Sequence, residues 1–346
     1  MMSDTGGGHR AAARAIAEAV DHLYPGRFEV RIEDIWADHT GWPINRLPAA
    51  YPWLADAGAR WWQLIWDLSL QRPLRQGVLA AANLFIQRRI VRLLAAWQPD
   101  AVVSVHPLLT ALGAGWVDRA RLRVPFFSVV TDLVTVHPAW VHPAATGCFV
   151  ATPASRDQVI AHGMPRQKVF LCGQPVSLKF ARPLADKPAL RRRLGMHPTR
   201  PAVLIVGGGE GVGRVYEIAQ AVAEAAASAQ LVVVAGRNRA LKARLDSAAW
   251  PIPTQTYGFT QRMPELMAAA DLLITKAGPG MIAEACISGL PMILSGFIPG
   301  QEAGNVHYVL GNGAGVYVTE PAQIAALARE WLAPGHPVLA RMGQNA

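Results

Sequence analysis

The chain has 346 residues, and at roughly 150 residues per domain this length implies two domains. Hydrophobic residues make up 51% and charged residues 16%, which excludes a disordered chain, since that needs high charge and little apolar content. The net charge is +9, from 33 basic and 24 acidic residues; 28 of the basic residues are Arg, and nine of the eleven Trp precede residue 151.

In chain order, the pattern predicts a helix over 9–23, with Ile16, Val20 and Leu23 on one face, and then a strand at 28–32. Segment 51–97 reads as two long helices carrying Trp53, Trp61, Trp62 and Trp66, then Leu74, Leu79, Leu84, Phe85, Ile86, Leu93 and Leu94. Between Arg60 and Trp97 there are six Arg and a single acid, Asp67. Strands are expected at 101–105, 126–130 and 169–172. Residues 173–201 break the rhythm with five prolines around one short helix, which Asp186 caps and Gly195 follows. Beyond them, strands at 202–206, 231–235, 272–275, 292–294 and 316–318 alternate with helical stretches at 213–227, 261–269, 280–288 and 321–332. Apolar strands separated by helices imply an α/β fold, with parallel sheets covered on both faces. The expected division is an N-terminal domain over 1–175, a linker over 176–200 and a C-terminal domain over 201–346.

Several classes drop out. Cys148, Cys172 and Cys286 are scattered, odd in number and lack C-x-x-C spacing, which argues against a disulfide framework or zinc site and fits a reducing cytoplasm. No signal peptide is expected, since Ser3-Asp4-Thr5-Gly6 follows the Met pair directly. The longest charge-free run, 133–155, holds His137, Pro138, His142, Pro143 and Pro153 and is no spanning helix. Five of the ten His precede Pro, which marks extended or turn backbone rather than metal spacing. Nucleic-acid binding is weakly supported, because the excess charge divides evenly, +4 through residue 175 and +5 after it.

Three glycine clusters stand at predicted βα junctions, where open α/β sheets bind ligands. The first, Ser3-Asp4-Thr5-Gly6-Gly7-Gly8-His9, leads into a helix but follows no strand, although a Rossmann-type half needs one there. The second, Gly207-Gly208-Gly209-Glu210-Gly211-Val212-Gly213, has the strand–loop–helix setting of a phosphate site. It fits neither G-x-G-x-x-G nor the P-loop, since Val212 and Arg214-Val215 stand where those patterns need Gly and Lys-Ser/Thr. The third is Thr275-Lys276-Ala277-Gly278-Pro279-Gly280, followed by Glu284; Lys276 could neutralise a diphosphate and Glu284 could accept two ribose hydroxyls. There is no G-x-S-x-G, no H-E-x-x-H and no Asp-x-Asp.

Together these blocks resemble the monogalactosyldiacylglycerol synthase-like branch of glycosyltransferase family 28. The resemblance rests on Ser3 to Ala11, on Val129-Val130-Thr131-Asp132-Leu133 with His137-Pro138-Ala139-Trp140, on Gly207 to Gly211, and on Gly236-Arg237-Asn238. It is densest from Tyr257-Gly258-Phe259-Thr260 through Lys276 and Glu284 to Ile298-Pro299-Gly300-Gln301-Glu302-Ala303-Gly304-Asn305. It implies a GT-B fold, two Rossmann-like domains facing a central cleft, with a UDP-sugar on the C-terminal domain and a lipid acceptor on the N-terminal one. Phe259 and Met263 would then lie near uracil and Glu284 at the ribose. Gly208, Gly209, Arg237, Lys276, Gly278 and Gly280 would cradle the diphosphate, and Gln301, Glu302 and Asn305 would meet the sugar or a phosphate. Family members continue into a C-terminal helix that packs back on the first domain, and this chain is expected to lack it, along with its first strand.

The implied reaction moves galactose or glucose from a UDP-sugar to diacylglycerol with inversion, without a cofactor or bound metal. His9 is the expected base and Asp132 its orienting partner or the alternative base. The acceptor side would be Gly7, Gly8, His137 and Trp140. Trp61, Trp62, Arg72 and Arg75 would meet an anionic membrane surface on its cytoplasmic face, as Trp prefers the interface and Arg attracts anionic headgroups. Three readings compete: an N-acetylglucosamine transferase acting on a polyprenyl-linked precursor, an inactive nucleotide-binding homologue, and a nicotinamide-dependent oxidoreductase, which the failed dinucleotide fingerprint disfavours.

Overall fold

A computed structural model describes residues 1–4, 7–42, 44–46, 59–181 and 186–346. Thr5 and Gly6 of the first glycine cluster, Trp53 with the start of the first long helix, and Pro183 lie outside the described residues. The chain forms two compact units, Met1–Ser177 with Ile298–Gly304, and Leu178–Phe297 with Asn305–Ala346.

The first unit is built on four parallel strands, β1 (Val102–Ser104), β2 (Phe126–Val129), β3 (Gly147–Val150) and β4 (Val169–Leu171), in that order across the sheet. The position before β1 is not vacant. The Met1 ammonium donates to the Val103 carbonyl at 2.7 Å, the Val105 amide donates to the Met1 carbonyl at 3.1 Å, and Met2 bridges in parallel to Asp34. Met1 and Met2 thus hold the place where no strand was expected. The strand expected at 28–32 does not form; the pairing there is of Met2 with residues 33–35. β3 was not foreseen, since its Gly-Cys-Phe-Val run sits inside the His- and Pro-rich stretch. The core of this unit gathers Leu109, Trp116, Phe126, Trp140 and Cys148 with Ile86, Ile90 and Leu94 from the helix Arg72–Trp97.

The second unit has six parallel strands, β5 (Ala202–Val206), β6 (Gln230–Val234), β7 (Thr254–Tyr257), β8 (Leu272–Lys276), β9 (Met292–Gly296) and β10 (Gly315–Tyr317). Their spatial order, β10-β9-β8-β5-β6-β7, is the doubly wound dinucleotide-fold order, whose direction of winding reverses between β5 and β8. Both central strands are buried along their whole length or nearly so, which is why they read as unbroken apolar runs. The segment expected to be a linker packs on this unit. Its helix Lys187–Arg193 is capped by Asp186, buries Leu190, and inserts the Arg191 guanidinium against the Asp271 carboxylate and the Ala269 carbonyl.

Among the described residues no helix is long and apolar enough to cross a membrane.

Candidate functional site

On the first unit the functional side chains gather where the chain leaves Met2, β1 and β2. Gly7 adopts φ 82° and starts the helix Gly8–Leu23, bringing His9 into its first turn. His9 is half-buried, and its Nδ1 lies 3.0 Å from the Thr131 hydroxyl. Its ring meets His106 edge-on with centroids 4.7 Å apart, and Trp140 at 6.1 Å. Burial pushes the His9 imidazole down to about 4, with the Val105 carbonyl and Asp4 opposing, so the ring is neutral at physiological pH. A neutral ring has one donor and one acceptor nitrogen, and the ring also hydrogen-bonds the Val105 carbonyl, which can only accept.

Asp132 is buried beside this group. One carboxylate oxygen accepts from Trp140 Nε1 at 2.6 Å and the other from Gln301 Nε2 at 3.2 Å. Desolvation raises its carboxyl to about 6; the two hydrogen bonds favour ionisation, and nearby Glu302 adds to the rise. The partner found on His9 Nδ1 is therefore Thr131, the residue just before Asp132, which the sequence reading did not single out.

His137 has both ring nitrogens engaged, accepting from the Ala139 amide at 3.1 Å and meeting the Ser69 hydroxyl at 2.9 Å. Trp140 is fully buried. Arg75 donates to the Ser69 and Leu70 carbonyls, closing the corner between the helices Ala59–Leu70 and Arg72–Trp97. Gln301 lies on the Asp132 carboxylate, while Glu302 accepts from the Ile298 amide at 2.9 Å and steadies its own loop.

Elsewhere on this unit the helix Ala59–Leu70 exposes Trp61, Leu64, Ile65 and Leu68, spaced as one helical face. Trp61 is 65% exposed and Trp62 half-buried. The following helix exposes Leu74, Val78, Leu84 and Phe85, together with Arg72 and Arg88.

On the second unit, two loops meet at the winding reversal. The 207–213 loop after β5 turns through positive φ at Gly208, Gly211 and Gly213. Gly211 is required: φ is 61°, and a Cβ there would stand 2.1 Å from the Ala235 carbonyl oxygen. The Arg237 amide donates to the Gly209 carbonyl at 2.8 Å, and its guanidinium bonds Glu210 at 2.8 Å while lying 5.7 Å from the centroid of the exposed Phe259 ring. Met263 opens the helix Met263–Ala269. Lys276 ends β8, with its stem facing Gly208, and the loop beyond it carries Gly278, the N-cap of the helix Pro279–Ile287. That helix contains Gly280 and Glu284, whose carboxyl burial raises to about 7. The Asn305 amide group donates to the Ala277 carbonyl at 2.9 Å, and its buried Oδ1 has no partner among the described residues. Open backbone, cations and a helix N-terminus converging at a winding reversal suit a phosphate-bearing ligand. Among the described residues no His, Cys, Asp and Glu cluster could hold a metal ion.

Residues 9–176 match the monogalactosyldiacylglycerol synthase family, and residues 202–319 match the glycosyltransferase family 28 C-terminal domain. The chain is 41% identical to the monogalactosyldiacylglycerol synthase of Spinacia oleracea, over all of this chain and 68% of that relative. It belongs to the monogalactosyldiacylglycerol synthase family. The chain spans about two thirds of the length of the curated relatives it matches. As a member of that family it is a glycosyltransferase. Its fold is similar to that of Acinetobacter baumannii MurG, with TM-score 0.59 and 15% identity over 99% of this chain and 92% of that one. It is also similar to Anabaena HepE in complex with UDP-glucose, with TM-score 0.52 and 17% identity over 76% and 78%. The GT-B fold, with two Rossmann-like domains, is thereby shown.

Proposed function

We propose that this glycosyltransferase moves galactose or glucose from a UDP-sugar to diacylglycerol in one inverting displacement. The acceptor oxygen bonds to the anomeric carbon as the bond from that carbon to the diphosphate oxygen breaks, releasing UDP, and His9 takes the hydroxyl proton. The observation that carries the reading is the neutral His9, fixed by Thr131, on the unit that matches the synthase family over residues 9–176. Asp132, whose carboxyl sits at about 6, is the alternative base.

Charge developing on the leaving UDP is met by Lys276, Arg237 and the amides that open the helix Pro279–Ile287, so the proposal needs no cofactor. Phe259 and Met263 lie at the uracil end and Glu284 takes the ribose hydroxyls. Asn305 turns its unpartnered oxygen to the sugar or a phosphate, while Gln301 and Glu302 act within the first unit, on Asp132 and on their own loop. Gly7 and Gly8 leave room for the acceptor beside His9, while His137 and Trp140 act by fixing the loop and carboxylate around it.

The acceptor comes from a bilayer. The face formed by Trp61, Leu64, Ile65 and Leu68, next to Arg72 and Arg88, suits a surface of anionic lipid, with the enzyme resting on the cytoplasmic side. Incubating the protein with diacylglycerol liposomes and, separately, UDP-galactose, UDP-glucose and UDP-N-acetylglucosamine tests the reading. A hexosyl-diacylglycerol product is expected. Transfer of N-acetylglucosamine to a polyprenyl-linked acceptor, with none to diacylglycerol, would overturn it.

A further inference from the structure

His106 is a buried titratable group that the displacement above leaves without a task. It follows β1 as the N-cap of the helix Pro107–Arg119, while His9 follows Met2 on the neighbouring strand position. Winding reverses between these two positions, because Met2 pairs outward with Asp34 while β1 pairs on its other side with β2. Open parallel sheets place ligands at such a reversal.

The backbone of His106 is firmly held: the Ser104 and Thr110 hydroxyls both donate to its carbonyl at 3.1 Å. Its ring is a different matter. Only 5% of the residue is exposed, and the Nδ1 atom has no hydrogen-bond partner among the described residues. An orphaned nitrogen at such depth costs free energy comparable to a lost hydrogen bond, so its retention calls for a functional or structural cause. Burial and the adjacent His9 hold the His106 imidazole well below 6.5, leaving it neutral, with one nitrogen able to donate and one to accept.

Diacylglycerol offers a match for this pair. The hydroxyl that loses its proton to His9 sits on a carbon next to one that bears an ester, and the two rings are 4.7 Å apart. We propose that His106 contacts the acceptor, donating from Nδ1 to the ester carbonyl beside the attacking hydroxyl, so that the His9–His106 pair selects vicinal hydroxy-ester acceptors. The inference rests on the diacylglycerol reading given above.

Three variants separate the contact from a packing role. His106→Phe keeps an aromatic ring against His9 without nitrogen, His106→Asn places a carboxamide over Nδ1, and His106→Gln places one over Nε2. Each is assayed for kcat and KM with dioleoylglycerol and with its ether analogue, which lacks the ester carbonyls. The wild type should lose about tenfold in kcat/KM on going from ester to ether, the worth of one hydrogen bond to a buried group. His106→Phe and His106→Gln should start that much lower on the ester and show no further loss on the ether. His106→Asn should keep the discrimination. His106→Phe should unfold at the same urea concentration as the wild type or a higher one, since it removes an orphan. The proposal is overturned if His106→Phe discriminates ester from ether as the wild type does, or if His106→Asn behaves like His106→Phe. A wild type inactive on every diacylglycerol would instead remove the acceptor reading beneath it.

Discussion

Replacing Asp132 by Asn removes a buried negative charge while keeping an oxygen for Trp140 to donate to. Desolvation raises the Asp132 carboxyl from 3.8 to about 6. At about 1.4 kcal/mol per pKa unit, that makes the ionised form about 3 kcal/mol less favourable in the folded protein than in the unfolded chain. The sign follows from which state binds the proton more tightly. Here it is the folded one, so between about pH 4 and 6 the unfolded state has already released a proton that the folded state keeps. The wild type therefore loses stability as pH rises through that window and stays lower above it. Asp132→Asn carries no such titration. Its stability minus that of the wild type should rise by about 3 kcal/mol from about pH 4 to about pH 7.5, and any fixed cost of the new amide cancels in the comparison. Urea unfolding followed by Trp fluorescence reads this in the right place, since nine of the eleven Trp lie before residue 151. Parallel stability curves for the two proteins across that range would refute the account of a desolvated carboxylate.

Replacing His9 by Ala should lower kcat by about 10²–10⁴-fold and leave UDP affinity by calorimetry unchanged. The acidic limb of kcat/KM in the wild type should fall near the His9 value of about 4. A limb near 6 that disappears in Asp132→Asn would give the proton to Asp132 instead. Glu284, raised to about 7, should accept ribose hydroxyls best when ionised, so UDP should bind more tightly as pH rises through 7. Glu284→Gln should bind more weakly and lose that dependence relative to the wild type. A paired Leu64→Glu, Ile65→Glu change should abolish flotation with anionic liposomes at unaltered thermal stability, since both side chains are exposed; retained flotation would place the membrane contact elsewhere.

What the sequence disclosed was mostly local. The apolar runs at 202–206 and 272–275 became central strands because burial on both faces leaves no polar alternation to hide them. Asp186 and Gly195 bracket a helix as their cap chemistry demands, with Asp186 bonded to the Ala189 amide and Gly195 at φ 72°. β7 escaped notice because Thr-Gln-Thr-Tyr at a half-buried sheet edge has little apolar content. The site was legible as motifs and illegible as contacts. Gln301 reaches Asp132 across 169 residues of sequence, and no periodicity carries such a pairing. In sequence His106 is one of five His-Pro pairs; its place just after an apolar run and directly before Pro107, which opens a helix, is the signal the sequence carries. Thr131 was quoted within a motif, and only the fold reveals that its hydroxyl faces His9.

The segment Ile298–Gly304 bears on how this protein can be dissected. It belongs to the first unit although the residues on both sides of it belong to the second. Within that unit Gly300 lies flat beneath the Trp66 ring, where a Cβ would stand 2.5 Å from the indole, and Gly304 is packed as closely on the Thr135 hydroxyl. A fragment ending at Ser177 would thus leave Trp66 uncovered and Asp132 with one donor in place of two. Division at the obvious boundary would part Gln301 from Asp132 and Gly300 from Trp66, so the first unit is whole only with a segment that lies more than a hundred residues beyond its other end.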